Sequence, residues 1–462
     1  MKKEVQEKYW RTLADSVGGE LGEKVVVAMK ELYSLYSPDM IDWFANLYDV
    51  KRGGYYYSNG ARDNVKIYHN GGIYDLLPDA ESTQQALRFI CDSGLAGKVG
   101  DSWAKVMPEW MKDQIGRYAK GLQDPNGFFY HPQWTKEMVD KKLSRRARDL
   151  GWCVWILEHL GKLPTYDTPG GVKGDGLDWD GNPVAEKSTA VADSGESAAP
   201  TVAIPDEFRD KESFLAYLDT LYIKTGAYGV GNTLTAICGQ LIYRDKELEA
   251  QGADYSLRKI LVDWLNENMN QELGLWHPVA DYYGVNGLMK TSGVYSKIGV
   301  LMPNADKGIR SAINAISTDQ QAGAVTDVYN TWFAVTRLKR NLRLYGGEEG
   351  NKLADEIVRE LRENAPETLR LTKEKLSAFS KPGGSFSYCL THSAARSQGM
   401  PVTFENAFEG DINATIICSS DILNYIYLAL ELPGARVPIF GEDDLERYIA
   451  ILEKNRENAL DK

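Results

Sequence analysis

The sequence predicts an all-α protein of stacked helical hairpins, and three observations carry that expectation. Apolar residues recur at three- and four-residue spacing along almost the whole chain. No stretch alternates apolar and polar residues in the manner of a half-buried strand. Clusters of glycine with aromatic residues return about every 50 residues, with two helical stretches per interval, as in helical repeat folds.

Taken in order, the periodicity predicts helices over 5–16, 21–37, 81–93, 103–121 and 136–160. Further ones are expected over 211–223, 233–243, 257–269, 328–344, 351–364, 412–431 and 443–455. Asp79 and Ser82 stand at the start of one such run, and Gly161 and Gly346 follow two long ones, as capping residues do. The stretch 165–205 is rich in Gly, Ser, Pro and Asp and has no apolar face to bury. It is expected to be a loop or disordered insertion. Asp175, Asp178 and Asp180 within it resemble part of a calcium loop, but the closing glutamate is missing, so a solvated loop is the plainer reading.

The clusters are GGYYYS (53–58), NGFFYHPQW (126–134), GAYGVGN (226–232), GLWHP (274–278) and GGSFSY (383–388), each expected to be a turn next to a helix. Gly226 and Gly274 are 48 residues apart, and Gly127 and Gly226 are 99 apart, which falls to about 55–60 without the insertion. VYNTW (328–332) fills the interval between Gly274 and Gly383. A closed repeat of this kind predicts one domain over 1–462, although length alone suggests about three.

Charge and composition narrow the function. With 53 Lys plus Arg against 65 Asp plus Glu, the net charge is −12, which argues against nucleic acid as a partner. The basic run at Arg145, Arg146 and Arg148 reads as a solvated helix face. No stretch approaches the roughly 20 apolar residues of a membrane helix, and the early residues lack a signal-peptide core. Five scattered cysteines read as free thiols, and a cytoplasmic location is expected. Motifs for nucleotide, serine-hydrolase or zinc chemistry are absent, so no cofactor and no metal is expected. Oligomeric state is not encoded legibly.

The segment LQDPNGFFYHPQW (122–134) resembles the Gln/Gly/aromatic turns of terpenoid cyclases and prenyltransferases. The pattern of turns between Gly53 and Leu432 resembles the α/α-toroid superfamily, whose architecture also carries unsaturated glucuronyl hydrolases and uronate polysaccharide lyases. The resemblance implies an (α/α)6-type toroid with a cleft where the turns that feed its inner helices gather. Aromatic side chains on polar turns suit sugar rings. The expected substrate contacts are Tyr56, Arg62, His131, Trp134, Arg148, Asn232, Trp276, Trp332 and His392.

The densest polar cluster is GLWHPVADYYGVNGLMKTSGVYSK (274–297), where Asn286 and Lys290 share a helix face. Similarity to toroid uronate lyases implies that Asn232 or Asn286, with Lys290, holds a sugar carboxylate. His277 is then the base and Tyr283 or Tyr295 the base or acid of a β-elimination. A lysine stands where those lyases generally use arginine. The partner so implied is an acidic, uronate-containing oligo- or polysaccharide.

Two rival readings remain at this level. Asp79, Asp149 and Asp411 are candidates for the two carboxyl groups of an inverting glycoside hydrolase, which stand roughly 6.5–9.5 Å apart; helix caps or ion pairs are their plainer roles. Terpenoid cyclisation would need a DxDD or DDxxD cluster, and the DD pair of EDDLERY (442–448) reads as a helix cap. A non-catalytic helical-repeat binding protein is the third class.

Overall fold

The computed structural model describes residues 3–64, 66–69, 71–184, 204–432 and 434–461. Among the described residues helices dominate, and the strands form only two two-stranded antiparallel sheets, so the all-α expectation holds. In chain order the first helices are α1 (Lys3–Val17), α2 (Gly19–Tyr33), α3 (Asp39–Asn46) and α4 (Asn59–Asp63). They are followed by α5 (Ala80–Ser93), α6 (Glu109–Gly121), α7 (Lys136–Asp140) and α8 (Leu143–His159). The centre of the chain forms α9 (Lys211–Asp219), α10 (Ile223–Ala250), α11 (Leu257–Asn268), α12 (Tyr282–Ile298) and α13 (Ala305–Ser317). The rest forms α14 (Val325–Tyr345), α15 (Gly347–Ser377), α16 (Ile412–Ile416), α17 (Ile422–Ala429) and α18 (Glu442–Leu460). A π-helical turn, Ile417–Asp421, joins α16 to α17.

Side-chain acceptors set many of the helix starts, each taking an amide left without an intrahelical partner. Asp79 accepts from the Ser82 amide at α5, Asp281 from Gly284 at α12, and Asp411 from Ala414 at α16. Packing links the helices in a continuous run: α8 on α5, α5 on α16, α17 on α14, α14 on α12 and α12 on α10. The connecting helices pack against that run. α6 lies on α8, α11 on α10, α13 on α12 and α14, and α15 on α14 and α2. Consecutive pairs such as α10 with α11 and α14 with α15 are therefore helical hairpins.

Four of the five glycine–aromatic clusters are turns, and they share a design. A short antiparallel pairing follows α3, α6, α11 and α15 in turn: Tyr48 with Tyr55, Gln123 with Phe129, Asn270 with Leu275, and Ser380 with Phe386. Gly127 (φ 84°) and Gly274 (φ 65°) show why glycine is required. Both are left-handed, and a Cβ would collide with the carbonyl of Asp167 or Asn304. At Tyr55 and Phe386 the strand then locks the next helix. The Tyr55 amide donates to Thr83 Oγ1 (2.9 Å) and its carbonyl accepts from Asp79. The Phe386 amide donates to Thr415 Oγ1 (3.0 Å) and its carbonyl accepts from Asp411.

The fifth cluster is a correction. Residues 226–232 lie inside α10, kinked at Gly226, rather than in a turn. Their glycines serve helix contact. A Cβ on Gly231 would stand 2.7 Å from the Thr291 amide of α12, and one on Gly287 would stand 2.6 Å from the Ala227 methyl. Residues 328–332 likewise lie within α14. Of the expected loop or disordered insertion, 165–184 is a loop packed on α6, with Lys120 on Asp175 (3.0 Å), Arg117 on Asp180 (2.6 Å) and Trp179 against Gly116. Those carboxylates are taken by cations of the protein. Residues 185–203 of the expected insertion lie outside the described residues.

The core is continuous from α1 to α18 and includes fully buried Trp103, Trp276, Trp332, Tyr55 and Tyr295. Burying a side chain of this size contributes about 1.5–3 kcal/mol. Cys91, Cys153, Cys238 and Cys418 are buried free thiols. Among the described residues no helix is long and apolar enough to cross a membrane.

Candidate functional site

The polar faces of the helices in the central run meet one another. On α5, Glu81, Gln85 and Arg88 follow at three- and four-residue spacing, so they share one face. Arg145 of α8, 1% exposed, donates to Glu81 Oε2 (2.7 Å), to Asp149 Oδ1 (2.6 Å) and to the Gln398 carbonyl (3.0 Å). Arg148, one turn further on, donates to Glu81 Oε1 (3.2 Å) and the same carbonyl (3.1 Å). Gln398 Nε2 donates to Gln85 (2.7 Å) and Gln85 Nε2 to Asn413 of α16 (3.2 Å). The π-helical turn ends at Asp421, whose two oxygens accept from Arg88 at 2.7 and 2.8 Å. Burial pushes the Asp149 carboxyl up to about 6, against the pull of Arg145.

On α12, Tyr283, Asn286 and Lys290 fall on one face at helical spacing. Asn286 Nδ2 donates to Asp327 Oδ1 (2.8 Å), and Asn330 Nδ2 donates to Asn286 Oδ1 (2.8 Å). Asp327 also accepts the Gly323 and Ala324 amides at the start of α14, so one carboxylate fixes both a helix end and the Asn286 amide. The Lys290 ammonium lies 5.0 Å from the ring centroid of Tyr228 on α10. Burial, and then the charges of Arg337 and Arg148, hold its pKa below the usual lysine value. Solvent reaches this region: Tyr283 is 52% exposed, Tyr228 43%, and the Arg148 side chain 42%. The arrangement suits a bound anion, because half-buried cations act more strongly than in water.

The structure brings several sequence-nominated residues to this cluster. His277 packs edge-on to Tyr283 (5.1 Å between rings), with Nδ1 3.5 Å from Asp281 Oδ1, and the Tyr283 hydroxyl donates to the Thr225 carbonyl. With Asn286, Lys290 and Arg148 they make the candidate site. Asn232 is exposed on α10.

Other nominees lie away from this cluster, and the buried ones serve the scaffold rather than a substrate. Tyr295 is fully buried and donates to Asn266 of α11 (2.7 Å). The Trp276 indole donates to the Leu265 carbonyl (2.9 Å) and Trp332 to Thr372 of α15 (3.1 Å). Tyr56 donates to Asp49 (2.8 Å). Arg62 is paired with Asp63 and lines an open groove of about 1000 Å³ beside α3 and α18, which shares no lining residue with the Lys290 cluster. His131 is buried against Trp134 (4.2 Å), accepts from the Gln133 amide and reaches the Pro78 carbonyl at 2.6 Å. Burial lowers its pKa to about 4, leaving a neutral ring. The His392 ring meets Thr391 Oγ1 (3.1 Å), and its carbonyl accepts from the Cys389 amide.

Asp79 and Asp411 are buried helix caps, and Asp411 also accepts from the Tyr388 amide (2.8 Å). Burial pushes both carboxyl groups up to about 7. Asp149 is bound to Arg145. None of the three nominated carboxylates is open to a sugar as an unpaired group.

Sequence reasoning missed Gln85, Arg88, Asn330 and Arg337. Their signal is present: polar residues at three- and four-residue intervals on helices that are otherwise buried. Among the described residues no group of three His, Cys, Asp or Glu is placed to hold a metal ion. No family model, curated protein or solved structure matches the chain. Function has to come from the side chains themselves.

Proposed function

We propose that the protein is a single-domain α/α-toroid enzyme that cleaves an acidic, uronate-containing sugar by β-elimination. The carrying observation is the Lys290 ammonium, half-buried beside the Tyr228 ring and in the field of Arg148 and Arg337. The run α8–α5–α16–α17–α14–α12–α10 supports the toroid, because Arg148 from one end of the run acts on Lys290 near the other. Carbohydrate suits a site that combines exposed tyrosine faces with amide and cationic hydrogen-bond donors.

In this reading Lys290 and the Asn286 amide hold the uronate carboxylate. Neutralising it acidifies the C5 proton, which passes to the His277 imidazole. The electron pair forms the C4–C5 double bond, the C4–oxygen bond breaks, and Tyr283 returns a proton to the leaving oxygen. The Tyr283 hydroxyl turns from the Thr225 carbonyl to do so.

Asp149 favours a second reading. Its carboxyl is raised to about 6, in the range of an acid catalyst of hydrolysis, but it is buried and bound to Arg145, so this reading requires a rearrangement that frees it. A screen of uronate oligosaccharides separates the two: elimination yields an ultraviolet-absorbing unsaturated product, whereas hydrolysis yields new reducing ends without absorbance. Absence of both rejects the enzyme reading.

A further inference from the structure

Arg337 differs from the other arginines in this region. Arg88 is held by Asp421, Arg145 by Glu81 and Asp149, and Arg148 by Glu81. Among the described residues Arg337 has no carboxylate partner. One nitrogen donates to the Met289 carbonyl, and the guanidinium carbon lies over the Phe333 ring, 4.4 Å from its centroid. The remaining N–H groups have no acceptor among the described hydrogen bonds, although a guanidinium offers five.

The surroundings make room for this charge rather than neutralise it. A Cβ on Gly293 of α12 would stand 2.8 Å from an Arg337 nitrogen, so the glycine leaves the place that the guanidinium fills. Phe333 stacks on Tyr425 (4.5 Å), and Tyr329 meets Tyr425 edge-on (5.3 Å), giving an aromatic wall beside the cation. Burial disfavours the charged form of Arg337, and Lys290 is a second cation in the same field. Two partly desolvated cations with no counter-ion of their own are costly unless a ligand supplies one.

We infer that Arg337 forms a second anion subsite beside the one made by Lys290 and Asn286, so that the ligand presents two anionic groups on neighbouring sugar units. Arg337 lies against Gly293 of α12, seven residues or roughly 10 Å along the axis from Asn286, a separation that suits successive sugar units better than one carboxylate. The anion is a carboxylate or a sulfate ester, either of which a guanidinium binds through paired hydrogen bonds. Naming a sugar rests on the function proposed above; the anion subsite does not.

Inorganic sulfate is the first probe. At constant ionic strength it raises the melting temperature of the wild-type protein relative to chloride, and Arg337→Gln removes most of that rise while Arg337→Lys keeps part of it. Calorimetry with a diuronate and a monouronate is the second. Arg337→Gln weakens the diuronate about tenfold or more, the order expected for one charge-assisted contact, and changes the monouronate by less than about twofold. A wild-type protein indifferent to sulfate, or an Arg337→Gln protein that responds like wild type, overturns the inference. A sulfate response that depends on Arg337, in a protein that binds neither uronate, upholds the subsite and rejects the acidic sugar.

Discussion

Lys290 and Tyr228 form the contact on which the functional reading turns: an ammonium 5.0 Å from a ring centroid, on facing helices whose close approach is set by Gly231 and Gly287. The ring stabilises the cation without neutralising it, so its charge remains available to a ligand. Replacing Lys290 by Met keeps most of the apolar stem and removes the charge. It is expected to lower kcat/KM on uronate oligosaccharides by about a hundredfold or more, the usual cost of losing one group that stabilises developing charge. The melting temperature stays close to wild type, and steady-state kinetics with thermal unfolding check both parts.

Asp79 and Asp411 cap α5 and α16 from fully buried positions, and burial raises both to about 7. A raised pKa means that the folded state binds the proton more tightly than the unfolded chain. Their contribution is therefore fully present below about 4, near the unfolded pKa of an aspartate, and is lost as pH rises through about 7. Asn keeps the capping acceptor without the charge. Thermal unfolding of Asp79→Asn should match wild type below about pH 4 and exceed it increasingly towards pH 8.

The Glu81–Arg145–Asp149 cluster has side chains 5%, 1% and 3% exposed. Removing one member strands a buried charge, which costs about 3–5 kcal/mol. Arg145→Met is expected to lose stability on that order in urea unfolding. It should also loosen Arg148, which shares Glu81 and the Gln398 carbonyl.

Helix contact through glycine predicts a specific clash. Gly287→Ala brings two methyl groups together at Ala227 and should destabilise by about 1–3 kcal/mol, as overpacking does. Ala227→Gly in the same chain restores the space, and a double-mutant comparison of melting temperatures tests the pairing.

Much of this was legible in the sequence because it is local. Gly127, Gly274 and Gly383 mark turns since their positive φ requires glycine, and Asp79 announces the start of α5. Where glycine serves another purpose the same signal misleads, as in 226–232, whose glycines let α10 and α12 touch. Tyr295 and Trp332 sit near polar residues in sequence, but helical rotation turns them to α11 and α15, and the turn before α12 aims Trp276 back at α11, directions that a single segment does not reveal. The Arg145–Glu81 pair joins residues 64 apart, and Arg148 and Arg337 reach Lys290 from α8 and α14. Such convergence depends on which helices pack together, and only the fold supplies that.

The most direct test of the central claim is the appearance of an unsaturated uronate during incubation of the wild-type protein with acidic oligosaccharides, followed by ultraviolet absorbance. The account predicts a steady rise that Lys290→Met abolishes and that Tyr295→Phe leaves intact. Equal rates from wild type and Lys290→Met, or no absorbing product from any uronate substrate, would contradict it.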